Sequence, residues 1–177
     1  MVALSTTMET SHEQITAIYS AQRASQNSGK SRAKGECLAL LGTLERMLRE
    51  NRGAIVHALA ADMRKPPHEA WAADIVPVLS EIEHTRRRLD TWLRPHKERP
   101  TLLNRPARAV HYPCPFGTAL IIGPWNYPFG LVLAPLVSAL AAGNSAVLKP
   151  SEYAPASSAL LTSLCERAFA PADIACV

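Results

Sequence analysis

At 177 residues, with 47% hydrophobic and 19% charged residues, the chain has the composition of one globular domain and of neither a disordered nor a fibrous protein. A chain of this size can bury about 70% of the surface that its unfolded form exposes, so a true core is within reach. The net charge of +4 does not mark a nucleic-acid binder, because 15 of the 19 Lys and Arg residues share the first hundred positions with 12 of the 15 acids.

The one basic cluster, Arg86, Arg87 and Arg88 with Lys97 and Arg99, has no interleaved aromatic residues and reads as a solvated helix end. Cys37, Cys114, Cys165 and Cys176 show neither CxxC spacing nor histidines at metal-ligand spacing, so no metal is expected and the thiols read as reduced ones of a cytoplasmic protein. Met1 to Gln14 has neither a basic flank nor an apolar run, so no secretory leader is expected. Ala109 to Leu148 carries no charged side chain, but Pro113, Pro115, Pro124, Pro128 and Pro135 cut it into pieces shorter than the ~20 apolar residues of a membrane span.

In chain order, Ile15 to Ser25 reads as a short helix ended by the polar stretch Gln26 to Ser31. A second helix is expected from about Ser31 to Glu50, with Cys37, Leu40, Leu41, Leu44, Met47 and Leu48 forming one apolar stripe. Asn51 reads as the cap of a third helix, whose buried face is Ile55, Val56, Leu59 and Met63, and Pro66-Pro67 stops it. A longer helix from about His68 to Leu93 carries Trp71, Ile75, Leu79, Ile82, Leu89, Trp92 and Leu93 as core, with Pro77 a kink. Arg94 to Pro106 is a charged, proline-punctuated connector.

The pattern then changes. Thr118 to Ile122 is continuously apolar and predicts a strand buried on both faces, closed by Gly123-Pro124. Leu131 to Ala142 has helical spacing, with Pro135 in its first turn or kinking it, and Gly143-Asn144 stops it. Ser145 to Lys149 predicts a second buried strand, Ala156 to Ala168 a helix, and Ile174 to Val177 the beginning of a third strand. Strand, helix and strand with short links form a βαβ unit, hence a parallel sheet with right-handed crossovers.

Open parallel sheets bind ligands outside the carboxyl ends of their strands. Two segments fall there: Gly123 to Pro128 and Lys149 to Glu152. Asn126, on a turn stiffened by two prolines, offers uncharged amide donors suited to an oxyanion, or else bonds its own turn. Trp125 read alone is a core plug. Lys149 can donate to sugar hydroxyls or phosphate and Glu152 can accept from a ribose, or the two form a surface pair beside a helix start. No GxGxxG fingerprint is present.

Pro115-Phe-Gly117 and the 36 residues from Leu120 to Pro155, with PWNYP, AAGN and KPSE in order, resemble the aldehyde dehydrogenase superfamily. Ala58 to Pro66 (ALAADMRKP) and Val78 to Glu83 (VLSEIE) resemble its class 3 branch, and the resemblance runs from about Ser25 to the end. It implies an α/β fold in which amino-terminal helices lead into an incomplete Rossmann-like parallel sheet. The helical front end would span about 15–93, the connector 94–108 and the start of the sheet about 109–177, all within a partial NAD(P)-binding domain that lacks the catalytic domain.

By the same resemblance, Asn126 is the oxyanion-hole asparagine, Lys149 and Glu152 contact the adenine ribose of NAD or NADP, and Ile122, Gly123, Trp125 and Ser151 line the cofactor groove. Glu152 tilts the choice slightly toward NAD by repelling a 2′-phosphate. Family enzymes oxidise an aldehyde through a cysteine adduct, hydride transfer and thioester hydrolysis. The family's nucleophilic cysteine and general base lie beyond Val177, so this chain alone is expected to be inactive and poorly soluble, with open strand edges. The partners implied are a small-molecule aldehyde and, at full length, a second copy in a homodimer, with no nucleic acid and no membrane span. Two other readings stand beside this one: a non-catalytic remnant or binding protein that uses the open sheet and partial groove, and an acyl-phosphate or CoA-linked reductase of the same superfamily.

Overall fold

The computed structural model describes residues 10–29 and 33–177. Most of the stretch read for a leader, and the expected helix start at Ser31, lie outside the described residues.

Helix α1 (His12–Asn27) opens with a capping box, in which the Ser11 hydroxyl accepts from the Gln14 N–H and the Gln14 side chain accepts from the Ser11 N–H. Helices α2 (Lys34–Glu50) and α3 (Arg52–Met63) bury the expected stripes, with Leu41, Leu44, Leu48, Ile55 and Leu59 fully enclosed. Asn51 occupies the position before α3 but does not cap it. Its amide donates back to the Met47 carbonyl at 2.8 Å and so closes α2 instead.

Left-handed Arg64, at φ 55°, ends α3, and Pro67 takes the first position of α4 (Pro67–Glu69). A π-helical segment, Ala70–Ile75, then leads into α5 (Val76–Trp92). The irregularity expected at Pro77 takes the form of this wide turn. The Val76 N–H donates to the Trp71 carbonyl five residues back, and the proline that follows has no N–H to place. Trp92 departs from its core assignment: it lies at the helix end, 42% exposed, beside His84.

The stretch expected as a plain connector contains strand β1 (His96–Glu98) and a short 3-10 turn (Leu102–Asn104). β1 pairs antiparallel with β2 (Ala109–His111) in a two-stranded ribbon. No apolar alternation announces this ribbon, because its residues are almost all exposed and the backbone ladder alone defines it.

The second half is the expected βαβαβ run: β3 (Thr118–Ile122), α6 (Gly130–Ala141), β4 (Ser145–Lys149), α7 (Pro155–Ala168) and β5 (Ile174–Cys176). The strands lie parallel in the order β3-β4-β5, with Ile122 opposite Lys149 and Leu148 opposite Cys176. Pro135 sits inside α6. Gly143, at φ 79°, ends that helix, and the Asn144 side chain accepts from the Gly117 N–H, tying the entries of β3 and β4 together.

One core cluster joins Ile121, Ala146, Leu148 and Ile174 of the sheet to α6, α7 and the front helices through Phe129, Leu133, Leu136, Leu161 and Leu48. Each such side chain contributes about 1.5–3 kcal/mol by leaving water. β4 is buried as expected apart from Lys149, but β3 is buried on one face only. Leu120 and Ile122 are 63% and 66% exposed, because the core cluster takes in Ile121 and leaves the opposite face of β3 open at this end. Among the described residues, no helix is long and apolar enough to cross a membrane.

At the exit of β3, a Cβ on Gly123 would fall 2.1 Å from Val132 Cγ2, a stiff β-branched side chain on α6. Gly123→Ala is therefore expected to destabilise the chain by about 1–3 kcal/mol through overpacking. Trimming the opposing residue in a Gly123→Ala/Val132→Ala double variant should restore part of it. Urea unfolding of the single and double variants measures both, and additive losses would contradict the contact.

Candidate functional site

Because β3 and β4 are parallel neighbours, the two turns leaving them emerge side by side, stitched by the Gly123 N–H to the Lys149 carbonyl at 3.0 Å. This brings together the two segments singled out in the sequence. Ile122, at the end of β3, and Trp125, on the turn after it, are exposed, as are Lys149, at the end of β4, and Glu152 on the second turn. Gly123 is buried against Val132.

Asn126 is exposed, and its side-chain amide makes no hydrogen bond to any described residue. It does not bond its own turn. Its backbone carbonyl, in contrast, is gripped by Lys65 Nζ at 2.7 Å. Trp125 is no core plug either, being 54% exposed.

Lys149 and Glu152 form an ion pair at 2.9 Å, open to solvent on both sides. A hydrogen bond from the backbone N–H of Glu152, then the Lys149 ammonium, holds the Glu152 carboxyl below its ordinary range, so it is ionised at neutral pH. Ser151, unlike Lys149 and Glu152, is buried. Its hydroxyl accepts from the Tyr153 N–H and its carbonyl accepts from the Ser158 hydroxyl at 2.6 Å, so it shapes the turn from within.

Three residues that sequence reasoning passed over position these turns. Lys65 Nζ also donates to Asp74 Oδ2 at 2.8 Å and sits 4.0 Å over the Tyr127 ring. Asp74, fully buried, accepts the Gly130 N–H on its other oxygen at 3.1 Å. Asp62, near the end of α3, accepts from the N–H groups of Ala156 and Ser157 at 3.0 and 2.7 Å, and so caps α7 from a distant helix. A charge breaking the apolar face at the π turn was the one available signal for Asp74. Nothing local pointed to the hold of Lys65 on Asn126, 61 residues away, or to the partners of Asp62, 94 and 95 residues away.

The four cysteines lie on segments other than the Asn126 turn. Cys37 is buried in α2, and burial pushes its thiol pKa up. Cys114 is exposed ahead of β3. Cys165 and Cys176 share a hydrogen bond between α7 and β5, which raises the former and lowers the latter. Among the described residues no cluster of His, Cys, Asp and Glu could hold a metal.

At the carboxyl ends of its strands the parallel sheet thus presents a Lys–Glu ion pair and an exposed side-chain amide unbonded among the described residues, where open parallel sheets hold their ligands. The sequence model described as "Aldehyde dehydrogenase family" matches residues 2–177. The chain belongs to the aldehyde dehydrogenase family. It is 40% identical over 125 residues to aldehyde dehydrogenase family 3 member A2 of Macaca fascicularis, covering 71% of this chain and 26% of that protein. It is also 37% identical over 150 residues to the dimeric NADP-preferring aldehyde dehydrogenase of Mus musculus, covering 85% and 33%. The substrate-bound state of Staphylococcus aureus AldH superposes with a TM-score of 0.89 at 31% identity, covering 92% of this chain and 36% of that one.

The chain thus spans about a third or less of the length of these relatives. The class 3 likeness read from the front helices agrees with these matches. The expected extent does not, because the match begins at residue 2 and not near Ser25. Helix α1 belongs to the fold because its buried Gln22 donates to the carbonyls of Ala146 and Pro171, and its Gln26 to that of Gly143, at the amino ends of the sheet.

Asp62→Ala removes the acceptors for two α7 N–H groups. It is expected to cost about 1–2 kcal/mol in urea unfolding, with the loss centred on α7 in hydrogen exchange. Unchanged exchange at Ala156 and Ser157 would contradict the cap.

Proposed function

We propose that this chain forms the amino-terminal part of the cofactor-binding domain of an NAD(P)-dependent aldehyde dehydrogenase that oxidises an aldehyde to a carboxylic acid. The helical front end is about 15–93, the connector 94–108 and the beginning of the sheet about 109–177. The observation that carries this reading is Asn126, whose amide is exposed and, among the described residues, unbonded at a strand end while its backbone is held in place. Such a donor is free to meet charge that develops on a substrate oxygen, and it carries no charge of its own to be neutralised first.

The residues at the strand ends fit a nicotinamide dinucleotide. Glu152, ionised, accepts from ribose hydroxyls, and Lys149 donates beside it. Ile122 and Trp125 present apolar surface next to the pair, Gly123 keeps the turn close to α6, and Ser151 holds the second turn's shape. When bound, the cofactor supplies hydride acceptance. A negative Glu152 disfavours a 2′-phosphate, which tilts the choice slightly toward NAD. The nucleophilic thiol and the general base come from sequence outside these 177 residues, so the chain alone turns over no aldehyde. The complete protein is a cytoplasmic homodimer that takes a small aldehyde and no nucleic acid.

The test begins with the coding DNA past the Val177 codon. If an open frame continues into a cysteine-bearing segment, its product should reduce NAD(P)+ in the presence of an aldehyde. Asn126→Ala should then lower kcat about 10²–10³-fold, with KM little changed. A variant of full activity would sink the oxyanion role. A frame that closes at Val177 would favour the binding-protein reading, for which the exposed Leu120 and Ile122 face is available.

A further inference from the structure

The chain from Asn126 to Gly130 is gripped at both ends by one ion pair. Lys65 Nζ binds the Asn126 carbonyl at 2.7 Å, and the Asp74 carboxylate that holds Lys65 also takes the Gly130 N–H at 3.1 Å. Between these points Tyr127 lays its ring 4.0 Å from the same ammonium. The lysine side chain is 10% exposed and the aspartate 0%, so neither interaction is screened as a surface pair would be.

We propose that Lys65, acting through Asp74, is a positioning residue that sets the direction of the Asn126 amide, and this rests on the oxyanion reading of that amide. The physical reasoning concerns a free side chain on a fixed peptide. Asn126 has no side-chain partner among the described residues, so its aim depends on where its backbone is held. The hold is a charge-assisted bond to its own carbonyl. Lysine suits this point because an ammonium directs its donors tetrahedrally, to the Asp74 oxygen and the Asn126 oxygen at once, whereas a guanidinium is planar. Arg64, left-handed at φ 55°, ends α3 one residue before Lys65. Asp74 is placed by the π turn, and a Cβ on Gly130 would meet the Asp74 carbonyl at 3.1 Å, so the two segments lie in close contact.

Removing Lys65 alone would strand a buried carboxylate, so the informative variant is Lys65→Met/Asp74→Asn, which keeps an acceptor for the Gly130 N–H and loses only the bridge. In ¹⁵N-labelled 177-residue chain, the Asn126 side-chain amide and the Tyr127 backbone amide should shift or broaden. Val147 and Ala175 in the sheet should stay in place, and Lys65→Arg should recover part of the change. Resonances of Asn126 and Tyr127 that do not move would overturn the proposal.

In the catalytic form of the protein, the double variant should lower kcat about 10–100-fold with the cofactor KM unchanged. In an Asn126→Ala background it should add little, because both act through one amide. An additive loss would overturn the positioning role. If Asn126→Ala itself leaves kcat intact, the oxyanion reading fails, and the spectrum alone then decides whether Lys65 holds the turn.

Discussion

A lysine and an aspartate withdrawn from water hold the helical layer to the first strand-end turn. Taking two charges out of solvent is costly, and the pair persists because each charge is also hydrogen-bonded to backbone: Lys65 to the Asn126 carbonyl, Asp74 to the Gly130 N–H. Losing one partner of a pair like this costs about 3–5 kcal/mol, since the other is left uncompensated. The turn's conformation is thus specified from outside it. Asp62 does the same for the second turn's helix, two residues ahead of the left-handed Arg64. One short piece of chain at the end of α3 therefore places both loops that carry the candidate chemistry.

The two ends of the sheet are built differently. At the amino ends, polar side chains are consumed by structure: Gln22 and Gln26 donate to strand-end carbonyls, and Asn144 ties Gly117 to the α6 exit. At the carboxyl ends the polar side chains Asn126, Lys149 and Glu152 are turned to solvent, and the Asn126 side chain has no partner among the described residues. This asymmetry is what an open parallel sheet needs in order to bind on one edge while remaining a rigid platform. It also explains why α1, which carries no candidate site residue, belongs to the family match from residue 2 onward.

Membership of the aldehyde dehydrogenase family gives these features a common frame, and the structure adds a mechanical link to it. The side chains recognised by motif lie on the two turns and the strand ends that lead into them, whereas the residues that hold the turns, Asp62, Lys65 and Asp74, belong to the helical region before the sheet. A mutation in α3 or the π segment can therefore reach the site without touching a ligand.

Much was legible in the sequence because it rests on local physics. Apolar spacing, Gly-Asn and Pro-Pro stops and the TALII and SAVLK runs place α2, α3, α6, α7, β3 and β4 within a few residues, and two strand ends after a βαβ pattern point to the two turns. The antiparallel ribbon stayed hidden because its strands bury almost nothing and leave no periodic trace. The exposure of Leu120 and Ile122 stayed hidden because an apolar run does not say which of its faces is covered. The partners of Lys65, Asp62 and Asn51 were likewise open. A charged or amide side chain reads the same whether it meets water, its own helix or a peptide group 61 residues away, and only the tertiary packing, in which α3 lies against α7 and the π segment, decides which.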